Sequence, residues 1–265
     1  MEEKKEKGIS CICLTYGRVS FLEEALQSFL AQDYPEDKCE LIIVNDYAHQ
    51  TLVYDHPNVR IINFTEQFST IGAKVQFAID QAKFDIIATY DDDDIGLSNH
   101  LQNINELFVE GTTVLHWAKG MFWNEPNISD IAFLGNSGVV YSKYAVEQIG
   151  GIPLENAGYD TTMVDRMHTL GIEKTVWAEP AEPSWFYRWG TIHNPEDGDV
   201  GIFHQSGAGT DTADKPNILQ RHSAFIESMR VRVLIPTGII NLVPKWKYNY
   251  KQQLKDYKDG SSRTN

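Results

Sequence analysis

The 265-residue sequence predicts an α/β fold, and three observations carry the prediction. Apolar runs of strand length at residues 9–14, 41–44 and 84–90 alternate with segments whose apolar positions recur at helical spacing. The run at 41–44, Leu-Ile-Ile-Val, is apolar at every position, as in a parallel strand covered on both faces. The run at 84–90 passes directly into Asp91-Asp92-Asp93-Asp94. A cluster of carboxylates is thereby placed at the carboxyl end of a strand, the edge where open parallel sheets bind ligands.

The elements follow in order. Residues 9–14 form the first strand, and Thr15-Tyr16-Gly17-Arg18 leads to a helix announced by Ser20 with Glu23 three residues on. Leu22, Ala25, Leu26, Phe29 and Leu30 fall on one face of that helix. Residues 41–44 form a strand ending at Asn45-Asp46, and residues 59–63 form a third. Val75, Ala78, Ile79 and Ala82 mark a helix over 72–82 that feeds the strand at 84–90. Ser98 caps a helix carrying Leu101, Ile104, Leu107 and Phe108, and apolar segments follow at 114–117 and 139–141. Helical spacing returns at 143–149, stopped by Gly150-Gly151, and at 160–170, stopped by Gly171. Residues 194–214, rich in Gly, Asp and Ser, read as a mobile loop able to close over a ligand.

Composition narrows the classes of function. With 42% apolar residues the chain supports a full core. A start charged in both signs shows no secretory signal, and the apolar stretch at 231–243 is interrupted by Arg232, Pro236 and Gly238. Three cysteines supply neither a disulfide framework nor a zinc set, which fits a reducing cytoplasm. The net charge of −14 opposes nonspecific nucleic-acid binding by the molecule as a whole, but the charge is divided unevenly. Residues 1–214 hold 13 Lys+Arg against 34 Asp+Glu (−21), whereas residues 215–265 hold 10 against 3 (+7). Two regions are expected: a catalytic-type domain over 1–214 and a helical, basic-aromatic extension over 215–265. The extension interleaves Trp246, Tyr248, Tyr250 and Tyr257 with lysines. Such a segment can lie peripherally on an anionic membrane, stack on nucleic-acid bases, or pack on the domain with its lysines in solvent.

Four adjacent carboxylates repel one another, so a positive group is expected between them. An EF-hand is excluded, because the fifth position from Asp91 is Ile95 and the twelfth is Gln102. All-oxygen donors suit magnesium or manganese. The bland alternative is a solvated acidic turn.

The order of these pieces resembles that of inverting family 2 glycosyltransferases, which have the GT-A fold: a Rossmann-like nucleotide-binding half and an acceptor-binding half on one mixed central sheet. The resemblance covers roughly residues 8–195. Its parts are Ile9-Ser10-Cys11-Ile12-Cys13-Leu14-Thr15-Tyr16-Gly17-Arg18 with the helix after it, Gln32-Asp33-Tyr34-Pro35 leading to Asn45-Asp46, the DXD-like run 91–94, and Gly150-Gly151-Ile152-Pro153 followed by Tyr159-Asp160 and Arg166. The resemblance implies a nucleotide-sugar donor, UDP-linked, and transfer to an acceptor hydroxyl. Thr15, Tyr16, Arg18, Asp46, Lys74 and Asp91 would bind the nucleotide, with Asp46 accepting a uracil N–H and Lys74 reaching base or phosphate, unless Lys74 is simply an exposed helix lysine. Asp93, Asp91 and His193 would hold Mn²⁺ or Mg²⁺, with His204 competing with His193. Asp160 would be the general base, with Asp165 as runner-up and helix N-capping as the structural alternative for Asp160. The family's Glu before this Asp is Tyr159 here.

Tryptophans 117, 123, 177, 185 and 189 are candidates for stacking on sugar rings or for core, and Gly135-Asn136-Ser137-Gly138 for a sugar floor or a turn. The acceptor stays open between a glycan, a lipid-linked glycan and a modified nucleic acid. Two other functions compete: a sugar nucleotidyltransferase, disfavoured by the lack of a Gly- and Arg-rich loop after the first strand, and a non-catalytic nucleotide-sugar-binding module, favoured by Tyr159.

Overall fold

A computed structural model describes residues 6–118, 120–124, 127–131, 137–188, 191–196, 200–204 and 231–261. Strands β1 (Ile9–Thr15), β2 (Cys39–Asn45), β3 (Gln50–Val53), β4 (Val59–Asn63), β5 (Ile86–Thr89), β6 (Ile95–Gly96), β7 (Val114–Trp117) and β8 (Gly120–Asn124) occupy the first half. β9 (Asn127–Ile131), β10 (Val140–Ser142), β11 (Thr175–Ala178), β12 (Trp185–Arg188), β13 (Thr191–Glu196), β14 (Val200–His204), β15 (Val231–Leu234) and β16 (Gly238–Asn241) follow. The described helices are α1 (Val19–Leu30), α2 (Ile71–Asp80), α3 (His100–Leu107), α4 (Lys143–Gln148), α5 (Tyr159–Thr169) and α6 (Tyr250–Ser261).

The central sheet has the order β11-β7-β10-β5-β1-β2-β4 and is parallel except for β10, which runs against both of its neighbours. Both faces are covered, which is why β1 reads as continuously apolar. Ile9, Cys11 and Cys13 pack with Leu22, Leu26 and Phe29 of α1, while Ile12 packs with Val75, Ala78 and Ile79 of α2 on the other face. From β1 the chain builds outward through β2 and β4, then crosses back to place β5 on the opposite side of β1. The order therefore switches between β1 and β5, and their carboxyl ends, Thr15 and Thr89, open the crevice expected at such a point.

The predicted elements at 114–117 and 59–63 match their strands residue for residue, and the others fall within a few residues of their predicted ends. The helix starts differ for a specific reason. α1 begins at Val19 behind Arg18 with no side-chain cap, because Glu23 accepts from Val243 N (3.0 Å) and pairs with Lys245 (3.0 Å). α3 begins behind Asn99, and Ser98 Oγ takes its hydrogen bond from Lys251 Nζ (2.8 Å). In both places the C-terminal region uses the group that local capping would have used.

That region packs on the body. β15 pairs with β14, β16 adds in parallel to β3, and Tyr250 and Leu254 of α6 are buried with Ile95, Leu97, Met121 and Phe186. Lys255 and Lys258 remain exposed, as the packed alternative for this extension requires. The boundary at 214 lies outside the described residues. The loop expected over 194–214 is corrected in its first part: β13 and β14 form an antiparallel pair there, and residues 205–214 lie outside the described residues. Among the described residues no helix is long and apolar enough to cross a membrane.

Candidate functional site

A cleft of about 330 Å³ opens at the β1/β5 switch point, lined among others by Thr15, Tyr16, Arg18, Asp46, Phe68, Lys74, Asp91 and Tyr159. Six of these eight are residues that the sequence assigned to the nucleotide. Larger hollows lie beside Trp246 and Lys251 at the C-terminal end of α1, and beside Lys7, Asp85 and Thr112 near the amino ends of β1 and β5. Neither borders the carboxyl edge of the sheet, where ligands bind in such folds.

At one end of the cleft, Asp46 follows β2 and is 3% exposed. Its Oδ1 pairs with Lys74 Nζ, and its Oδ2 accepts from Phe68 N (3.0 Å). Lys74 is 7% exposed and also donates to the Thr15 carbonyl (2.7 Å), so the exposed-lysine alternative is corrected. Burial lowers the Lys74 pKa, and Asp46 offsets only part of that. The clamp fixes Asp46 while leaving lone pairs on its oxygens, since an ionised carboxylate accepts about four hydrogen bonds.

The acid run lies at the other end, and its members do different jobs. Asp92 is fully buried and, with Asp93, is held by Arg18: Nε donates to Asp92 Oδ2 (3.0 Å) and Nη1 to Asp93 Oδ2 (2.8 Å). Asp94, 1% exposed, accepts from Arg188 N (2.8 Å) and from Ser137 Oγ, which in turn accepts from Trp185 Nε1 (2.7 Å). Asp91 faces the cleft. Part of the positive charge that the run requires is thus supplied by Arg18 within the chain. Burial and the charges of Asp93 and Asp92 push Asp91 up to about 7. Burial also pushes Asp92 up to about 6, against the pull of Arg18.

The fit of a divalent cation can be judged from this donor set. Asp91 and Asp93 offer oxygens only, and Asp93 is 18% exposed. Among the described residues no three His, Cys, Asp or Glu side chains converge as a complete metal cage. Two carboxylates completed by substrate phosphates and water is the arrangement that magnesium commonly takes, so the residues fit a cation that arrives with a diphosphate. His193 and His204 lie on β13 and β14, where His193 pairs in register with Ile202 and His204 with Thr191; their side chains lie outside the described residues.

The third wall is the start of α5. Gly158, with φ of 74°, stands at its N-cap, and Tyr159 and Asp160 open its first turn. The capping alternative for Asp160 is therefore corrected: its Oδ1 accepts from Thr161 N (2.7 Å) inside the helix. Tyr159 lines the cleft, and burial with the nearby charges of Asp91 and Asp160 raises its phenol pKa. Asp160 follows Tyr159 in the first turn of α5 and is not among the residues that line the cleft, whereas Asp165 is exposed further along the helix. The loop before α5 is docked on α2 by Gly72 N to Glu155 O (2.9 Å) and Ile71 N to Asn156 Oδ1 (3.1 Å). A Cβ on Gly72 would lie 1.9 Å from the Pro153 carbonyl oxygen, so this close approach needs glycine.

Trp117 and Trp185 are 1% exposed core, Trp177 is 55% exposed and stacks on His116, Trp189 lies outside the described residues, and the Trp123 side chain does too. Ser137 and Gly138 brace the acid run and the core, with Trp117 Nε1 donating to Gly138 O (2.6 Å); Gly135 and Asn136 lie outside the described residues. Phe68, Glu24, Arg188 and Tyr250 were not singled out as site residues. Their partners are distant in sequence, by up to 226 residues for Glu24 and Tyr250, so local pattern carries no signal for them.

The sequence model for glycosyl transferase family 2 matches residues 10–129. No curated protein matches the chain significantly. Among solved structures, S. aureus TarS 1-349 superposes with a TM-score of 0.50 at 17% identity, over 68% of this chain and 60% of that one. Its complex with UDP-GlcNAc gives 0.51 at 17%, over 68% and 58%. The mannosyltransferase PcManGT from Pyrobaculum calidifontis, in complex with GDP-Man and Mn²⁺, gives 0.51 at 16%, over 69% and 57%. The chain spans less than two thirds of the length of these structures, and at such identity the likeness shows the fold. Residues 10–129 are thus similar to glycosyl transferase family 2, and the fold of the chain is GT-A.

Proposed function

We propose that this protein transfers a sugar from a UDP-linked donor to an acceptor hydroxyl, with inversion and with the help of Mn²⁺ or Mg²⁺. The observation that carries the reading is the single cleft at the β1/β5 switch point, bounded by the Asp46–Lys74 clamp, by Asp91 of the acid run and by the start of α5. The matched family domain and neighbours solved with UDP-GlcNAc and GDP-Man support a nucleotide sugar as the donor.

In this reading, Asp46 accepts the ring N–H of uracil, while Lys74 and Phe68 N–H keep its carboxylate oriented. Tyr16 and Phe68 flank the nucleotide. Asp91 and Asp93 would hold the cation, and Arg18, already on Asp93, lies next to the diphosphate. A divalent ion bound there supplies charge stabilisation for the departing diphosphate, worth several kcal/mol. Asp160 accepts the proton of the attacking hydroxyl, because that oxygen must lose it in the transition state. Attack from the α5 side on a sugar whose diphosphate is held by the acid run makes the two groups approach from opposite faces, which is displacement with inversion.

Incubation of the purified protein with UDP-sugars, an acceptor panel and manganese should release UDP, and Asp93→Ala should abolish release. Release unchanged by that substitution removes the cation from the mechanism. UDP binding without turnover across the panel favours the non-catalytic module.

A further inference from the structure

We propose that Arg188 is the positioning residue of the acid run and that the C-terminal segment, through Tyr250, sets Arg188. The proposal rests on the donor-site reading above and adds to it a part of the chain that does not line the cleft. Arg188 N donates to Asp94 Oδ1 (2.8 Å) and Arg188 Nε donates to the Asp93 carbonyl oxygen. One residue therefore holds a side chain and the main chain of adjacent acids. Its Nη1 reaches Glu24 Oε2 (2.5 Å) and Tyr250 Oη (3.1 Å). Tyr250 Oη in turn donates to Glu24 Oε1 (3.0 Å), which also accepts from Lys247 N (2.8 Å).

The arrangement is a poor one for stability alone. Arg188 and Glu24 are 3% and 4% exposed, and Arg188 Nη2 has no partner among the described residues. A buried ion pair with an orphaned donor generally gains less than apolar residues of the same volume would. Its geometry instead fixes where residues 93 and 94 sit. The planar fork is needed, since Nε and Nη1 act at once on the Asp93 carbonyl and on Glu24, and a lysine offers one nitrogen for both. The segment that delivers Tyr250 is tied to α1 by Val243 N and Lys245 on Glu23, and Tyr250 packs on Phe186 with centroids 5.6 Å apart. Docking of this segment and the position of the acid run are thus two ends of one network.

The test uses the full chain and Tyr250→Phe, which keeps the ring and removes only the hydroxyl, alongside Arg188→Lys. In the ligand-free protein, amide hydrogen exchange over residues 91–96 should quicken about tenfold in Tyr250→Phe, the equivalent of roughly 1.4 kcal/mol, with α2 unchanged. Mn²⁺ affinity in the presence of UDP, read from the paramagnetic resonance signal of free Mn²⁺, should weaken about tenfold, while metal-free UDP binding at the Asp46 end holds. Exchange over 91–96 unchanged in both variants overturns the proposal, as does an equal rise in α2, which is general loosening. Wild-type protein that binds neither UDP nor Mn²⁺ removes the donor-site reading, and the exchange measurement still decides the positioning role by itself.

Discussion

Substitution of Lys74 by methionine tests the nucleotide end of the site through a physical quantity that needs no substrate. Met keeps the stem packed against α2's neighbours and deletes the ammonium that joins Asp46 to the Thr15 carbonyl. The Asp46 side chain, 4% exposed, then keeps Phe68 N–H as its remaining described donor. Removing one partner of a buried pair costs about 3–5 kcal/mol, because the other charge is left without compensation. The lowered pKa of Lys74 shows that burial outweighs the attraction of Asp46, so the lower end, about 3 kcal/mol, applies. In a chain of this size that is a fall in Tm of roughly 6–12 °C. Thermal unfolding followed by circular dichroism measures it. The double substitution Lys74→Met with Asp46→Leu should recover most of the loss, since a matched apolar pair is near neutral. A fall below about 2 °C for the single variant, as for an exposed lysine, refutes the reasoning.

Three further outcomes are expected. Asp160→Asn should lower kcat by about 10²–10⁴-fold, the usual worth of a general base, while UDP affinity by calorimetry stays the same; an equal loss in Asp165→Asn would move the base along α5. Asp91→Asn should raise the Tm of the metal-free protein by an amount that grows as pH rises from 5 to 8. The folded pKa of Asp91, about 7, lies above the unfolded 3.8, so the folded wild type binds the extra proton in that window and loses stability as the proton leaves. A difference independent of pH would mean that Asp91 is already neutralised. Gly72→Ala should destabilise by about 1–3 kcal/mol in urea titration, because its Cβ meets the Pro153 carbonyl, and should weaken UDP binding as the 153–156 loop moves off α2.

The parts of the fold that the sequence revealed are those governed by burial along one element. β1, β2 and β5 were readable because both faces are covered, and Asp46 and Asp91 because they stand just past the ends of β2 and β5. Ser20 and Ser98 misled because the groups that answer Glu23 and Ser98 come from Val243, Lys245 and Lys251, and a capping rule sees only neighbours. β3 has an alternating pattern four residues long and pairs with β16, some 190 residues away, so neither strand announces the other. Within the site, the acid run was legible as a charge cluster, but not its division of labour. Arg18 on Asp92 and Asp93, Arg188 on Asp94 and Asp91 turned to the cleft follow from packing alone. Tyr159 joined the cleft through the docking of the 153–156 loop on α2, which a lone glycine at position 72 permits, and Phe68 through its N–H on Asp46.

The central claim is that one nucleoside diphosphate spans the cleft from Asp46 to the acid run. Crystals of the full chain grown with UDP and Mn²⁺ test it most directly. The account predicts density for uracil at the Asp46 carboxylate, and for the diphosphate and one metal ion against Asp91 and Asp93. Nucleotide density elsewhere, or an empty cleft at saturating UDP and Mn²⁺, contradicts it.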